Sequence, residues 1–84
     1  MYRITFSKNA DKVLRRIPRN IALNIRKKIK ELAQNPHRMR NVKQLTNHPG
    51  YRLRVGDWRI IYTVIDNELL IHVINVKTRG EAYK

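Results

Sequence analysis

The sequence has no cysteine, which excludes disulfides, thiol catalysis and thiolate metal sites and is compatible with a reducing compartment. Acidic residues are scarce too: six Asp and Glu stand against nineteen Lys and Arg, a formal charge of +13. That lies well beyond the ~2 to 8 that solubility asks of a small domain. So few acids cannot cancel the positive field locally, and the chain expects a polyanion that releases counterions on binding. Long apolar runs are missing as well. Even the stretch from Leu69 to Val76 is interrupted by His72 and Asn75, short of the ~18 residues of a membrane span. The opening Met1-Tyr2-Arg3-Ile4-Thr5-Phe6 alternates instead of forming the apolar core of a signal peptide, which argues against secretion and for the cytoplasm. Glycine-rich phosphate loops and paired carboxylates are absent, and no Asp or Glu accompanies His37, His48 or His72 at ligand spacing. No metal and no cofactor is expected. Eighty-four residues leave room for one small domain spanning 1–84.

The residues that are present pattern clearly. Tyr2, Ile4 and Phe6 share one face of a period-two segment, predicting a short strand. Ser7 suits the cap of a helix with Ala10, Val13, Leu14 and Ile17 on its apolar stripe, ending near Pro18. Pro18 opens a second helix whose stripe runs through Ile21, Ala22, Ile25, Ile29, Leu32 and Ala33 until Asn35-Pro36. Residues 36–50 read mostly as loop, relieved only by Val42 and Leu45. A meander follows: Tyr51 to Val55, the turn Gly56-Asp57, Trp58 to Ile65, the turn Asp66-Asn67, then a strand to about Lys77. The tail from Thr78 holds too few apolar groups for a helix of its own. The expected fold is α+β, a helical hairpin on an antiparallel sheet in the order β-α-α-β-β-β.

A two-residue loop at Gly56-Asp57 would pair Arg54 with Arg59 and Arg52 with Ile61, so three arginines share one sheet face. Like charges directly opposite one another destabilise a sheet, and a bound phosphate would remove the conflict. Guanidinium is suited to that task because its planar fork grips phosphate oxygens and stays charged. A solvated face carrying outward arginines is the competing reading, and composition alone leaves both open. The helices add a second basic surface in Arg19, Arg26, Lys27 and Lys30, and Lys43 follows in the loop. Residues 1–44 carry thirteen of the nineteen basic groups against two acids, Asp11 and Glu31, which favours nucleic acid as the partner. Ser7 is better explained as a cap than as a nucleophile, and Tyr51, Trp58 and Tyr62 as core residues. Tyr83, beyond the last strand, is placed either to stack on an unpaired base or to anchor the tail. If both turns held two residues, Ile61, Leu70 and Ile74 would share the arginine-bearing face and leave apolar surface open.

The run Tyr51-Arg52-Leu53-Arg54-Val55-Gly56-Asp57-Trp58-Arg59-Ile60-Ile61-Tyr62 and the ending Arg79-Gly80-Glu81-Ala82-Tyr83 resemble the RelE/ParE toxin superfamily, specifically its RelE branch. The resemblance covers essentially the whole chain. It implies a ribosome-dependent endoribonuclease that cuts messenger RNA in the decoding A site and is restrained by a cognate acidic antitoxin. Operator DNA would be met only through the toxin–antitoxin complex. It also implies catalytic roles for Arg52 and Arg54 before the turn, for Arg59 in stabilising the transition state, for Arg79 at the leaving group, and for Tyr83 on the nucleotide. Two departures bear on mechanism. Some members carry lysine at positions 52 and 54, and many carry His where Thr78 stands. Arginine cannot deprotonate a 2′-hydroxyl at neutral pH, which leaves Tyr83 as the candidate base. A ParE-like relative that binds gyrase generally lacks the arginine set, whereas a noncatalytic basic RNA-binding domain would be compatible with both departures.

Overall fold

The computed structural model describes residues 1–39, 42–45 and 49–78. The first strand, β1 (Arg3–Phe6), stops at Ser7, whose side chain does two jobs. Its Oγ accepts the Ala10 N–H at 3.0 Å, capping helix α1 (Lys8–Arg16), and donates to the Ile74 carbonyl at 2.5 Å. One hydroxyl thus starts the helix and pins it to a distant strand. Asn9 of α1 also bonds the side chain of Asn75. Helix α2 (Arg19–Gln34) begins directly after Pro18, whose fixed φ suits a helix entry and whose missing N–H is no loss there.

Five strands follow one another across a single sheet in the order β1-β5-β4-β3-β2, comprising β2 (Val42–Gln44), β3 (Tyr51–Val55), β4 (Trp58–Ile65) and β5 (Leu70–Thr78) as well as β1. Two helices cover one face. Three features depart from the sequence expectation. The segment read as loop contains β2, which has only one apolar residue but finds the otherwise unpaired edge of β3. The sheet is mixed, because β1 runs parallel to β5 after the helices and the other strands have intervened. The second turn is longer than Asp66-Asn67: Asp66–Glu68 form one 3-10 turn, and Leu69 takes a left-handed φ of 51° before β5 begins.

The first hairpin follows the expected register throughout, pairing Val55 with Trp58, Arg54 with Arg59, Leu53 with Ile60 and Arg52 with Ile61. Gly56 has φ +58° and Asp57 does not share the positive sign, the pattern of a type II′ turn with glycine first. Leu53, Val55, Ile60, Tyr62, Ile71, Val73 and Val76 meet Ala10 and Leu14 of α1 and Ala22, Ile25, Ile29, Leu32 and Ala33 of α2 in one core. Tyr51 stacks on Tyr62 with centroids 5.6 Å apart, and Trp58 packs against the same core, in line with their reading as structural aromatics.

Candidate functional site

A β-bulge decides which residues reach the uncovered face. Ile61 pairs with Asn75 but Tyr62 pairs with Val73, so Ile74 has no counterpart on β4. Strict alternation from the expected two-residue second turn would set Ile74 beside the arginines and turn Lys77 to the core face. The bulge reverses the parity of the strand beyond it, and Lys77 pairs with Arg59 instead. Ile61 and Leu70 keep their expected side, whereas Ile74 occupies the bulge.

The face opposite the helices therefore carries two adjacent cationic rows. One is Arg54, Arg59 and Lys77 across β3, β4 and β5; the next is Lys43, Arg52, Ile61 and Asn75 across β2 to β5. Neighbouring strands lie about 4.8 Å apart and successive rows about 7 Å apart, so the backbone positions of the five cations span about 14 Å by 7 Å of the sheet. Arg54 and Lys43 are exposed, Arg52 and Lys77 half-buried. Lys43 and Arg52, with Gln44 and Leu45, also line a cleft of about 210 Å³.

Arg59 differs from the rest, since it is only 4% exposed. Its Nη1 donates to the Gly56 carbonyl at 3.3 Å and the Trp58 carbonyl at 3.1 Å, holding the guanidinium against its own turn. Its buried Nε has no partner. Ion pairs among the described residues join Arg15 to Asp11, Lys28 to Glu31 and His37 to Asp66, all away from these rows. A nearly buried cation with no carboxylate partner among the described residues is costly, and an incoming anion would offset that cost.

The remaining expected site residues distribute as follows. Arg79 and Tyr83 lie outside the described residues. Arg19, Arg26, Lys27 and Lys30 are on α2, away from the cationic rows; Arg26 lies over the Phe6 ring at 5.5 Å. With Ile4, Phe6, Leu23 and Ile29, the last three of these basic residues border a groove of about 370 Å³ between α2 and β1. Lys43, grouped with them from the sequence, instead joins the sheet through its pairing with Arg52. Lys77 was missed because its placement depends on the bulge. Neither Tyr62 nor Tyr2 is suited to act as a base: burial, aided by the neighbouring Tyr51, pushes the Tyr62 phenol well above its usual range. Tyr2 is raised by donating its hydroxyl to Asp66.

Comparison with known proteins agrees with this architecture. The family model of the ParE toxin of type II toxin-antitoxin systems matches residues 4–83. A RelE-like toxin protein of Escherichia coli is 30% identical over 88 residues, covering 98% of this chain and 90% of the relative. The toxin of the E. coli RelBE toxin–antitoxin complex superposes with a TM-score of 0.81 at 26% identity, covering 93% of this chain and 96% of that one. In the archaeal RelE–RelB complex of Pyrococcus horikoshii the TM-score is 0.82 at 27% identity, over 94% of this chain and 96% of that chain. Sequence, topology and sheet register thus converge, and the chain belongs to the RelE branch of the RelE/ParE superfamily of type II toxin-antitoxin toxins.

Proposed function

We propose that this toxin is a ribosome-dependent endoribonuclease that cleaves messenger RNA in the decoding site without a metal ion and so stops translation. The observation that carries the proposal is the cationic face itself, with Arg59 nearly buried at its centre and in no ion pair among the described residues. In the proposed step the 2′-oxygen attacks its adjacent phosphorus in line, the P–O5′ bond breaks, and a 2′,3′-cyclic phosphate and a 5′-hydroxyl result. Arg52, Arg54 and Arg59 stabilise the charge that develops on the phosphorane. Arg79 assists the departing 5′-oxygen, and Tyr83, as the phenolate favoured beside guanidinium groups, takes the 2′-hydroxyl proton. Lys77, opposite Arg59, brings an ammonium that can pass its proton to the departing 5′-oxygen, as a guanidinium cannot. The ribosome aligns the message, a task for which a chain this small has little surface.

Outside its target, the cytoplasmic toxin is held by a cognate acidic antitoxin, through which alone it reaches operator DNA; the E. coli RelBE structure, a toxin–antitoxin complex, supports such a partner. The basic groove bordered by Arg26, Lys27 and Lys30 and the exposed Arg19 provide further contacts to RNA. Programmed ribosomes with primer-extension mapping test this role. Wild-type protein should give discrete cuts, and Arg54→Ala and Lys77→Ala should each reduce them at least ~10-fold while leaving the melting temperature within a few degrees. Inhibition of gyrase supercoiling with an intact message would instead place the activity in the ParE manner.

A further inference from the structure

Beyond the second cationic row the open face continues, and its character changes. Two residues farther along β4, Thr63 pairs with His72 of β5, and His72 pairs on its other side with Thr5 of β1. The Thr5 hydroxyl lies 2.8 Å from His72 Nδ1 and fixes the imidazole plane, which leaves Nε2 for a ligand. The rows on either side contribute half-buried Ile61 on one hand and Ile65 with Leu70 on the other. Exposed Arg3 stands at the end, paired with Leu70. From the Arg59 row to the Arg3 row is about 20 Å, room for roughly three extended nucleotides at the spacing of sheet rows.

These groups match a nucleobase better than a phosphate. Aliphatic side chains flank a small polar patch that holds an oriented imidazole and a hydroxyl, and the nearest guanidinium on the far side, Arg3, is placed for the following phosphate. A continuous single strand anchored at Arg54, Arg59 and Lys77 would be drawn over this patch by the positive charge at both ends.

We propose that His72, oriented by Thr5 and assisted by Thr63, forms a base-recognition subsite for a nucleotide flanking the cleaved phosphodiester. This rests on the RNA-cleaving role proposed above. His72 here determines specificity and takes no part in proton transfer, since two sheet rows separate it from Arg59.

Cleavage on ribosomes programmed with messages varied one base at a time around the cut tests it. His72→Gln and His72→Ala should flatten the preference at one flanking position by about 5- to 10-fold, the scale of one lost base-edge contact, by lowering cleavage at the best message toward that of the other messages, which stay near their wild-type rates. Thr5→Val, which frees the ring without removing it, should flatten the same position less. Identical base profiles for wild type and both His72 variants would overturn the subsite and leave the nuclease role standing. If wild type itself does not cut, that role fails; equal affinity of wild type and His72→Ala for a single-stranded oligoribonucleotide, by fluorescence anisotropy, would then overturn the subsite as well.

Discussion

Replacing Arg59 by methionine separates a side chain kept for folding from one kept for a ligand. Arg59 is 4% exposed, makes two bonds to turn carbonyls and leaves Nε unpaired. Removing a buried charge in favour of an apolar side chain of similar volume is often neutral or stabilising by about 1–4 kcal/mol. The two carbonyl bonds pull the other way, because the acceptors lose a charged donor, although their place beside the turn lets water replace part of it. The expected balance is a gain of about 1 kcal/mol, or an increase of about 4–8 °C in Tm for a domain of this size. Thermal unfolding followed by circular dichroism, with and without inorganic phosphate, reads it. Wild type should gain stability as phosphate is added, the variant should start higher and respond less, and message cleavage by the variant should be lost. A fall in Tm of several degrees, with phosphate stabilising both proteins equally, would show that Arg59 is a structural pin of the hairpin and no anion ligand.

Tyr62→Phe should raise stability by about 1 kcal/mol in denaturant titration, because its buried hydroxyl has no hydrogen-bond partner and the ring stack with Tyr51 is retained; a loss of similar size would reveal a partner. Leu69→Gly should raise Tm by several degrees, since the exposed leucine holds a left-handed φ of 51° that glycine adopts without strain; an unchanged or lower Tm counts against this. Asp66 is held below the ordinary carboxylate range first by the Tyr2 hydroxyl and then by His37, so its contribution is present above the unfolded value of about 3.9 and fades as pH falls through the lower folded one. Tyr2→Phe should therefore flatten the acid limb of a Tm–pH curve between about pH 5 and 2, and an unaltered limb would contradict the linkage.

Much of this architecture is legible in the chain because local chemistry and global packing agree. Alternation in Tyr51–Val55 and Trp58–Ile65, with Gly56 supplying the positive φ of a two-residue turn, leaves one possible register, and the arginine cluster follows from that register alone. Ser7 was readable as a cap from its position before an apolar helical stripe, but its bond to the Ile74 carbonyl was not, since that depends on a strand sixty-seven positions away. The bulge at Ile74 carries no local signal: neither glycine nor proline marks it, and it arises where Val73 and Val76 must both reach the core across two intervening residues. Lys77 moved faces for that reason. β2 was invisible because an edge strand of three residues forms on the backbone groups that β3 offers, with Val42 its one apolar residue.

The same alternation explains why the cations cannot relieve their own repulsion. Two guanidinium groups about 6 Å apart repel by at most about 3 kcal/mol at an effective dielectric near 20. Burying Leu53, Val55 and Ile60 contributes about 1.5–3 kcal/mol each. A slip of one residue would separate Arg54 from Arg59 but would turn all three apolar side chains out of the core, so packing wins by a factor of about 1.5 to 3. Sequence therefore holds the charges together through the hydrophobic face behind them. Among the described residues every ion pair lies elsewhere, so the phosphodiester of the proposed cleavage would relieve this repulsion, and most strongly at the moment its own charge is greatest.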